Sequence, residues 1–251
     1  MNKPDTLQRN RRRIPALPFV LINMGMTADG KIATPDGSVS SFGSEIDHER
    51  LLDLRATADA VMSGARTVDL HSVDLGPGGA RHRRRRLRNG LDEYNQRIVV
   101  SGSASLDPEA AIFQTDFSPI TVLTSDNAPR RRIARLKEAG AEIASFGRGE
   151  IDLRRALQWL RTTRGVKRLL CEGGGVLNDA MLRANLVHEV HLTICPVVLG
   201  GRSAATICDG WGFQRLHDAR RFALHSRKQI GDELFCVYRA IKDVPNDAAS
   251  E

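Results

Sequence analysis

Short apolar runs alternate with helix-like segments along the first part of the chain. Runs rich in valine, isoleucine and leucine are typical of buried strands, and the amphipathic segments between them are typical of helices that cover a sheet. The alternation therefore predicts a largely parallel sheet with helices on its faces. Strands are predicted at 19–23, 60–64, 97–102, 120–125, 141–146 and 168–173, and helices near 45–57, 129–139, 152–163 and 175–184.

The end of the chain has a different pattern. Three apolar runs, 187–198, 221–230 and 233–240, follow one another without a helical segment between them. Such runs pair as antiparallel strands, and Gly231 and Asp232 supply the turn of the last hairpin. The predicted fold class is α/β: a mixed, mostly parallel central sheet flanked by helices, with antiparallel strands at the C-terminal end.

The positive charge of the chain is concentrated in two arginine-rich runs. The formal net charge is +7, and without the segments 1–13 and 81–88 the chain is mildly acidic. Such runs are usually solvated tails or loops. No aromatic residue interleaves either run, as base stacking would require, so the charge pattern does not favour nucleic acid as a partner.

No linker divides the predicted strands, so residues 18–242 are predicted to form a single domain. Residues 1–17 are predicted to be a flexible basic arm and 243–251 a tail, while the glycines and arginines of 76–95 predict an exposed loop. The apolar segment after the arm is short and interrupted by prolines, which is typical of neither a signal peptide nor a membrane span.

The cysteines and histidines do not indicate a metal site. The cysteines lie at no metal-ligand spacing, and the histidines show no cluster beyond His188 and His191, which are interpreted as structural residues on or beside a strand. The simplest interpretation is a reduced, cytoplasmic protein without a metal or a membrane partner. The cysteines are Cys171, Cys195, Cys208 and Cys236.

Candidate chemistry lies just after the predicted strands, because ligands bind beyond the carboxyl ends of parallel strands. The glycines at 173–175 would let a phosphate approach the backbone at the start of a helix. A tight strand-to-helix turn explains the same glycines, so their spacing leaves both interpretations open. The segments in question are 23–30, 64–67, 101–102, 124–125 and 172–175.

Several charged residues stand beside these segments. Glu172 would oppose a phosphate, so it either faces a substrate that carries N–H groups or caps the following helix. Asp29 and Lys31 flank a turn that is either a simple hairpin or part of a site. Arg55, at the end of a predicted helix, either satisfies helix carbonyls or binds a substrate phosphate.

The order of four motifs resembles the pyrimidine reductase family of riboflavin biosynthesis, in its stand-alone form. The motifs are "MTADGKIA", "LRATADAVMSGARTV", "RIVVSGSASLDP" and "CEGGGVLNDAMLRANLVHEVHLTICPVVLGG", and the resemblance covers about 18–240. It implies a fold similar to dihydrofolate reductase and an NADPH-dependent reduction of a ribosylamino-pyrimidine phosphate to the ribitylamino compound. It also implies a homodimer.

The resemblance also implies roles for individual residues. Substrate contacts are implied for Glu172, Asp29 and Arg55, and Asn23 is a further candidate because it follows the first strand. The candidates for proton transfer through water are Asp29, Lys31 and Glu172, and the sequence does not choose among them. The residues with an implied role in binding the cofactor are Gly64, Thr67, Ser101, Gly173, Gly174, Gly175, Val176 and Leu177.

One segment departs from the family pattern. After Val68 the family usually has an aspartate that meets the cofactor and later an arginine that meets the substrate phosphate; here His71 and Gly78 stand at those positions. Arg81 or a neighbour is the candidate replacement for the arginine. A shifted loop equally predicts a different substrate.

Two alternative functions therefore stay open. The first is an NADPH reductase of the same fold that acts on a pterin, a dihydrofolate-like compound or another heterocycle. The second is a non-catalytic protein that binds nucleotide or nucleic acid through its arginine runs. Deleting 81–88 would abolish binding without changing NADPH affinity only in the second case.

Overall fold

The computed structural model describes residues 16–37 and 42–241. The arm predicted over 1–17, apart from its last two residues, and the tail predicted over 243–251 lie outside the described residues. The strands are β1 Phe19–Thr27, β2 Ala60–Gly64, β3 Gln96–Val100, β4 Ile120–Thr124, β5 Ala141–Ser145, β6 Arg168–Cys171, β7 Glu189–Cys195, β8 Phe222–Ile230 and β9 Glu233–Ala240. The α-helices are α1 Glu45–Arg55, α2 Ala65–His71, α3 Ala80–Arg88, α4 Arg130–Glu138, α5 Leu153–Thr162 and α6 Gly175–Arg183, and short 3-10 helices span Ala111–Gln114 and Leu216–Asp218.

The strands form one nine-stranded sheet in the order β5-β4-β3-β2-β6-β1-β7-β9-β8. β1 lies between β6 and β7 and pairs parallel with both. Parallel pairing continues from β6 through β2, β3 and β4 to β5. β9 pairs antiparallel with β7 and β8. This topology confirms the predicted fold class, including the antiparallel strands at the C-terminal end.

Helices cover both faces of the sheet, so its central strands are apolar on both sides. On one face, Leu157 of α5 and Met181 of α6 belong to the same buried cluster as Ile22 of β1. On the other face, Leu136 of α4 belongs to a second cluster with Leu21 of β1. Adjacent residues of β1 thus enter opposite clusters, because successive side chains of a strand point to opposite faces.

The sequence pattern does not predict α2, which begins immediately after β2. The helix has seven residues, of which Ala65 and Val68 are buried, and its N-cap Gly64 makes no side-chain bond. A helix of two turns carries too little periodicity to be recognised in a sequence. Its start beside β2 nevertheless fixes one wall of the site described below.

The exposed loop predicted over 76–95 is wrong in its middle, where α3 forms and buries His82 and Arg86. Arg86 is 1% exposed, and its Nη1 donates to the carbonyl oxygens of Arg55 at 2.7 Å and Ala58 at 2.6 Å. The last carbonyls of a helix lack helical partners, and Arg86 adds a charged donor to the carbonyl of Arg55, which also accepts a 3.3 Å bond from the N–H of Ala58. One arginine of the charged run therefore links α3 to the end of α1 and has a structural role.

The last hairpin is confirmed, with Ile230 paired to Glu233 and Gly231 at φ +58° in the turn. β8 forms the edge of the sheet, and most of its residues are exposed. Within 16–37 and 42–241, no helix has the length and apolar character needed to cross a lipid bilayer.

Replacing Arg86 with methionine tests whether its hydrogen bonds between α3 and the end of α1 stabilise the fold. The change keeps an apolar stem but removes this donor from buried carbonyl oxygens, and each such loss costs about 1–3 kcal/mol. We expect the free energy of unfolding, measured by urea denaturation, to fall by about 2–4 kcal/mol.

Arg84→Met is the matched control, because Arg84 is exposed on the same helix. We expect the free energy of unfolding of this variant to stay within about 0.5 kcal/mol of the parent. Equal stability of the two variants would contradict the structural role of Arg86.

Candidate active site

A cleft of about 1290 Å³ opens along the carboxyl ends of the parallel strands. It is larger than the roughly 300–1,000 Å³ that is typical of a site for one small molecule. The cleft therefore has room for two ligands beside each other. The predicted site residues that line it are Gly64, Thr67, Ser101, Glu172, Gly174, Gly175, Val176 and Leu177.

The glycine turn after β6 forms the floor of the cleft. Gly173 has φ +75°, and the peptide bond between Gly173 and Gly174 is cis. A Cβ on Gly174 would lie 3.0 Å from Thr67 Oγ1, and a Cβ on Gly175 would lie 2.5 Å from the carbonyl oxygen of Thr206. The packing around the turn thus leaves no room for side chains at these positions.

The first turn of α2 is bonded to this floor. The N–H of Gly64 donates to the carbonyl oxygen of Gly173 at 2.7 Å, and the N–H of Gly174 donates to Thr67 Oγ1 at 3.0 Å. Beside them Val176, in the first turn of α6, is 69% exposed and lines the cleft. An exposed apolar side chain next to bare backbone is suited to contact a flat ring.

These residues fit a nicotinamide dinucleotide. Residues 173–175 would hold its phosphates, because the start of α6 carries partial positive charge and the turn presents only backbone. Ser101 lines the cleft after β3, and its Oγ accepts a bond from the N–H of Ser105 at 2.9 Å. These hydroxyl groups would hold the adenosine half.

Glu172 is fixed at the cleft by a buried arginine. Nε and Nη2 of Arg55 donate to Oε1 and Oε2 of Glu172, each at 2.7 Å, and Nη1 donates to the carbonyl oxygen of Gly76 at 2.6 Å. Arg55 is 6% exposed. Its burial acts to lower the pKa of the guanidinium, but the attraction to Glu172 outweighs this and raises the pKa. The two-bond geometry fixes the orientation of the carboxylate.

Two arginines predicted to bind a substrate phosphate lie elsewhere. Arg55 does not line the cleft, and its guanidinium is hydrogen-bonded to the Glu172 carboxylate. Arg81 lies on α3, where its side chain is 71% exposed and pairs with Glu49 at 2.9 Å, also outside the cleft. The helix formed by the charged run carries Arg81 away from the site.

Asp29 and Lys31 also lie outside the cleft. The Asp29 carboxylate accepts bonds from the N–H groups of residues 199–200 at 3.0 and 2.7 Å. The Thr27 hydroxyl and these amides lower the pKa of Asp29 to about 2. Lys31 Nζ donates to the carbonyl oxygen of Ala204 at 3.1 Å. Neither side chain reaches the cleft where substrate contacts were predicted, because both bond the turn after β1 to the segment after β7.

Asn23 does not line the cleft. β1 pairs with β6 in a register that ends with Ile22 against Cys171, so Asn23 and Glu172 each follow the last pair of these two strands. The substrate contact of Asn23 stays a prediction.

The motifs do not identify two charged cleft residues, Asp47 and Arg66. Asp47 lies in the first turn of α1 with its Oδ2 over Gly25, and Arg66 lies in the first turn of α2 with its guanidinium near Gly37. Ser44, which caps α1, was the available signal for Asp47, because it fixes where that helix starts relative to the edge of the sheet.

His71 lines the cleft at the position where the family usually has an aspartate. Burial lowers the pKa of His71, which favours a neutral imidazole at neutral pH. Within the described part of the chain, no group of three or more His, Cys, Asp or Glu side chains is placed to hold a metal ion.

Comparisons with known proteins agree with this geometry. The 2,5-diamino-6-ribosylamino-4(3H)-pyrimidinone 5′-phosphate reductase of Methanothermobacter thermautotrophicus is 36% identical over 228 residues, which cover 88% of this chain and 97% of that protein. The protein of the same name from Archaeoglobus fulgidus is 33% identical over 196 residues, or 78% of this chain and 88% of that protein.

The fold agrees as well. The crystal structure of a pyrimidine reductase-like protein from Corynebacterium diphtheriae has a TM-score of 0.74 at 21% identity, over 90% of this chain and 93% of that one. The family model of the RibD C-terminal domain matches residues 18–235. A match over nearly the whole sheet, with a relative this similar across almost all of both chains, shows that the chain belongs to the RibD C-terminal domain family.

Proposed function

We propose that the protein is an NADPH-dependent reductase of riboflavin biosynthesis that converts a ribosylamino-pyrimidine phosphate into its ribitylamino form. The observation that carries the proposal is the carboxylate of Glu172, locked by Arg55 at the wall of a cleft whose floor is a glycine turn. The names of the two archaeal relatives, which are reductases of a diamino-pyrimidinone phosphate, support this substrate class.

A reductase of this family needs a nicotinamide cofactor, and the glycine turn is the place where the chain fits one. When bound, the cofactor supplies a hydride for C1′ of the sugar. The protein's part is to hold the phosphates at 173–175, to offer Val176 as an apolar contact and to keep water from the reacting atoms. The preference for NADPH over NADH rests on the family resemblance.

Glu172 would bind the pyrimidine ring. An ionised carboxylate only accepts hydrogen bonds and has about four lone-pair sites, two of which are occupied by Arg55. The remaining sites suit the amino and ring N–H groups of a diaminopyrimidine. A phosphate would be repelled there, so the phosphate must bind at another part of the cleft.

Arg66 is the residue to which we assign the substrate phosphate. Among the cleft arginines, Arg183 is bonded to Asp179 at 2.8 Å, whereas Arg66 and Arg202 are exposed and have no carboxylate partner among the described residues. Arg66 directly precedes Thr67, the cofactor candidate of α2. It would thus replace the arginine that the family places after this helix.

A homodimer and a cytoplasmic location complete the proposal. The exposed edge strand β8 offers unpaired backbone groups to a second copy of the chain. The cysteines are free, and three of the four are buried, which supports a reducing compartment.

A reductase of another heterocycle is the second candidate. The observation that favours it is His71, because a neutral imidazole stands where the family has an aspartate. Such a change alters the charge presented to cofactor and substrate.

The direct test is turnover by the purified full chain, followed as loss of NADPH absorbance. The diaminopyrimidine ribosylamino phosphate and its deaminated counterpart are supplied in parallel. We expect oxidation with the diamino compound, as the names of the relatives indicate. Binding of NADPH without turnover on either compound would contradict the proposal and favour another heterocycle.

Glu172→Gln tests the contact with the pyrimidine. The amide keeps the shape of the side chain but loses the charge-assisted bonds, which are worth roughly 1.5–3 kcal/mol each. We expect kcat/KM to fall about 10- to 100-fold, with an unchanged Kd for NADPH measured by fluorescence titration. Glu142→Gln is the control, because Glu142 forms a similar pair with Arg164 outside the cleft. Equal kcat/KM in both variants would remove Glu172 from the site.

Arg55→Lys tests whether Arg55 acts by positioning Glu172. Lysine keeps a positive charge but cannot form the two-bond fork, so the carboxylate is no longer fixed in one orientation. We expect kcat to fall by up to about a hundredfold, as for small misplacements of reacting groups, and the Kd for NADPH to stay the same. A loss of stability with unchanged kcat would indicate a purely structural role.

A further inference from the structure

A second carboxyl group, that of Asp47, lines the same cleft as Glu172. Asp47 Oδ2 is 3.4 Å from the position of a Cβ on Gly25, so the carboxyl covers bare backbone of β1. The parallel register of β1 and β6 ends at the pair Ile22 and Cys171, directly before Asn23 and Glu172. Gly25 lies two residues, or roughly 6–7 Å, beyond Asn23 along the same strand. The cleft thus holds two carboxyl groups at the strand ends, one over β1 and one after β6.

Asp47 lines the same cleft as the glycine turn where the cofactor fits. Gly25, the residue that Asp47 covers, also lines this cleft. A substrate bound in the cleft together with the cofactor would therefore share it with the carboxyl groups of Asp47 and Glu172.

The surroundings of the two carboxyl groups differ in charge. Glu172 faces the guanidinium of Arg55. Asp47 is half-buried beside Glu233 of β9, a carboxylate that is 6% exposed and accepts bonds from the N–H of Ser44 at 2.8 Å and its Oγ at 2.5 Å. A carboxylate in this position disfavours a second negative charge on Asp47.

The groups that face Asp47 from each neighbouring element act on its pKa in both directions. Burial raises the pKa of Asp47, and the nearby Glu233 raises it further. The Thr193 hydroxyl of β7, together with Arg50 and His48 of α1, opposes this, and the net pKa is raised. Cys195 of β7 adds no charge, because burial and the carboxylates of Glu233 and Asp47 raise the pKa of its thiol to about 12.

We propose that Asp47 is a catalytic residue that, as a neutral acid, donates the proton taken up by the sugar ring oxygen O4′. The inference rests on the proposed function. Pairs of titratable groups whose surroundings favour opposite charge states are the usual acid and base of an active site. Asp29, one of the three candidates for proton transfer in the sequence, is excluded because its carboxylate, whose pKa is lowered to about 2, lies outside the cleft.

In this step the C1′–O4′ bond breaks, its electron pair goes to O4′, and O4′ takes the proton of Asp47 while the lone pair of the amine nitrogen forms a C1′=N bond. A hydride supplied by bound NADPH would add to C1′, which would return the C=N electron pair to nitrogen and leave NADP⁺. Asp47 is left as a carboxylate and takes a proton from water.

The pH dependence of turnover tests the assignment. A general acid is active only while protonated, so kcat/KM is expected to be constant at low pH and to fall as the pH rises through the pKa of Asp47. Asp47→Asn is expected to lose this alkaline limb and to reduce kcat about a hundred- to ten-thousandfold, with an unchanged Kd for NADPH. Asp53→Asn, on the exposed side of α1 and paired with Arg85, is the control and should keep the parent profile.

Glu233→Gln supplies a second, independent readout. Removing the neighbouring charge should move the alkaline limb of turnover to lower pH. In the free protein, NMR titration of the Asp47 carboxyl carbon should show the same downward shift, which does not depend on turnover. A structural role of Glu233 alone would leave both pH values unchanged.

A failure of the role of Asp47 and a failure of the proposed function would give different results. If the parent protein oxidises NADPH with the pyrimidine substrate and Asp47→Asn keeps its kcat and its alkaline limb, the role of Asp47 is overturned and the proposed function stands. If the parent protein oxidises NADPH with neither pyrimidine, both are overturned.

Discussion

Arg55 is the residue through which the active-site wall is connected to the rest of the fold. Its side chain holds Glu172 with two bonds and the segment before α3 with a third, while its own carbonyl oxygen accepts a bond from Arg86. Two buried arginines therefore link the end of α1, the end of β6 and α3. Removing one partner from a buried pair costs about 3–5 kcal/mol, so stability and the placement of the Glu172 carboxylate depend on the same contact.

The sheet and α1 explain why two carboxyl groups in one cleft have surroundings of different charge. β1 is covered on this face by α1, whose last turn brings Arg55 to Glu172 and whose first turn brings Asp47 over Gly25. The positive partner lies at one end of the helix, and the buried carboxylate of Glu233 lies at the other. A single helix across the strand ends thus supplies the arginine beside one carboxyl group and places the other beside a carboxylate.

The sequence predicted the sheet well because its strands are continuous apolar runs. The three glycines after β6 indicated a tight turn at the end of the strand, whereas their spacing left a cofactor site as one of two interpretations. It misplaced Arg81, since six arginines in one run are typical of a loop, whereas burial of one of them forms a helix. Asp29 was misplaced because a motif does not show which way a turn faces. Asp47 was missed because burial and Glu233, which is far away in the sequence, raise its pKa, and neither is visible in a local motif.

A crystal structure of the full chain with NADP⁺ and the ribitylamino product would show whether Glu172, held by Arg55, receives the pyrimidine while the cofactor lies on the glycine turn. We expect the cofactor phosphates against 173–175 and the pyrimidine N–H groups bonded to Glu172, with the bonds to Arg55 intact. A pyrimidine bound away from Glu172, or a Glu172 carboxylate turned from Arg55, would rule out this role of Glu172.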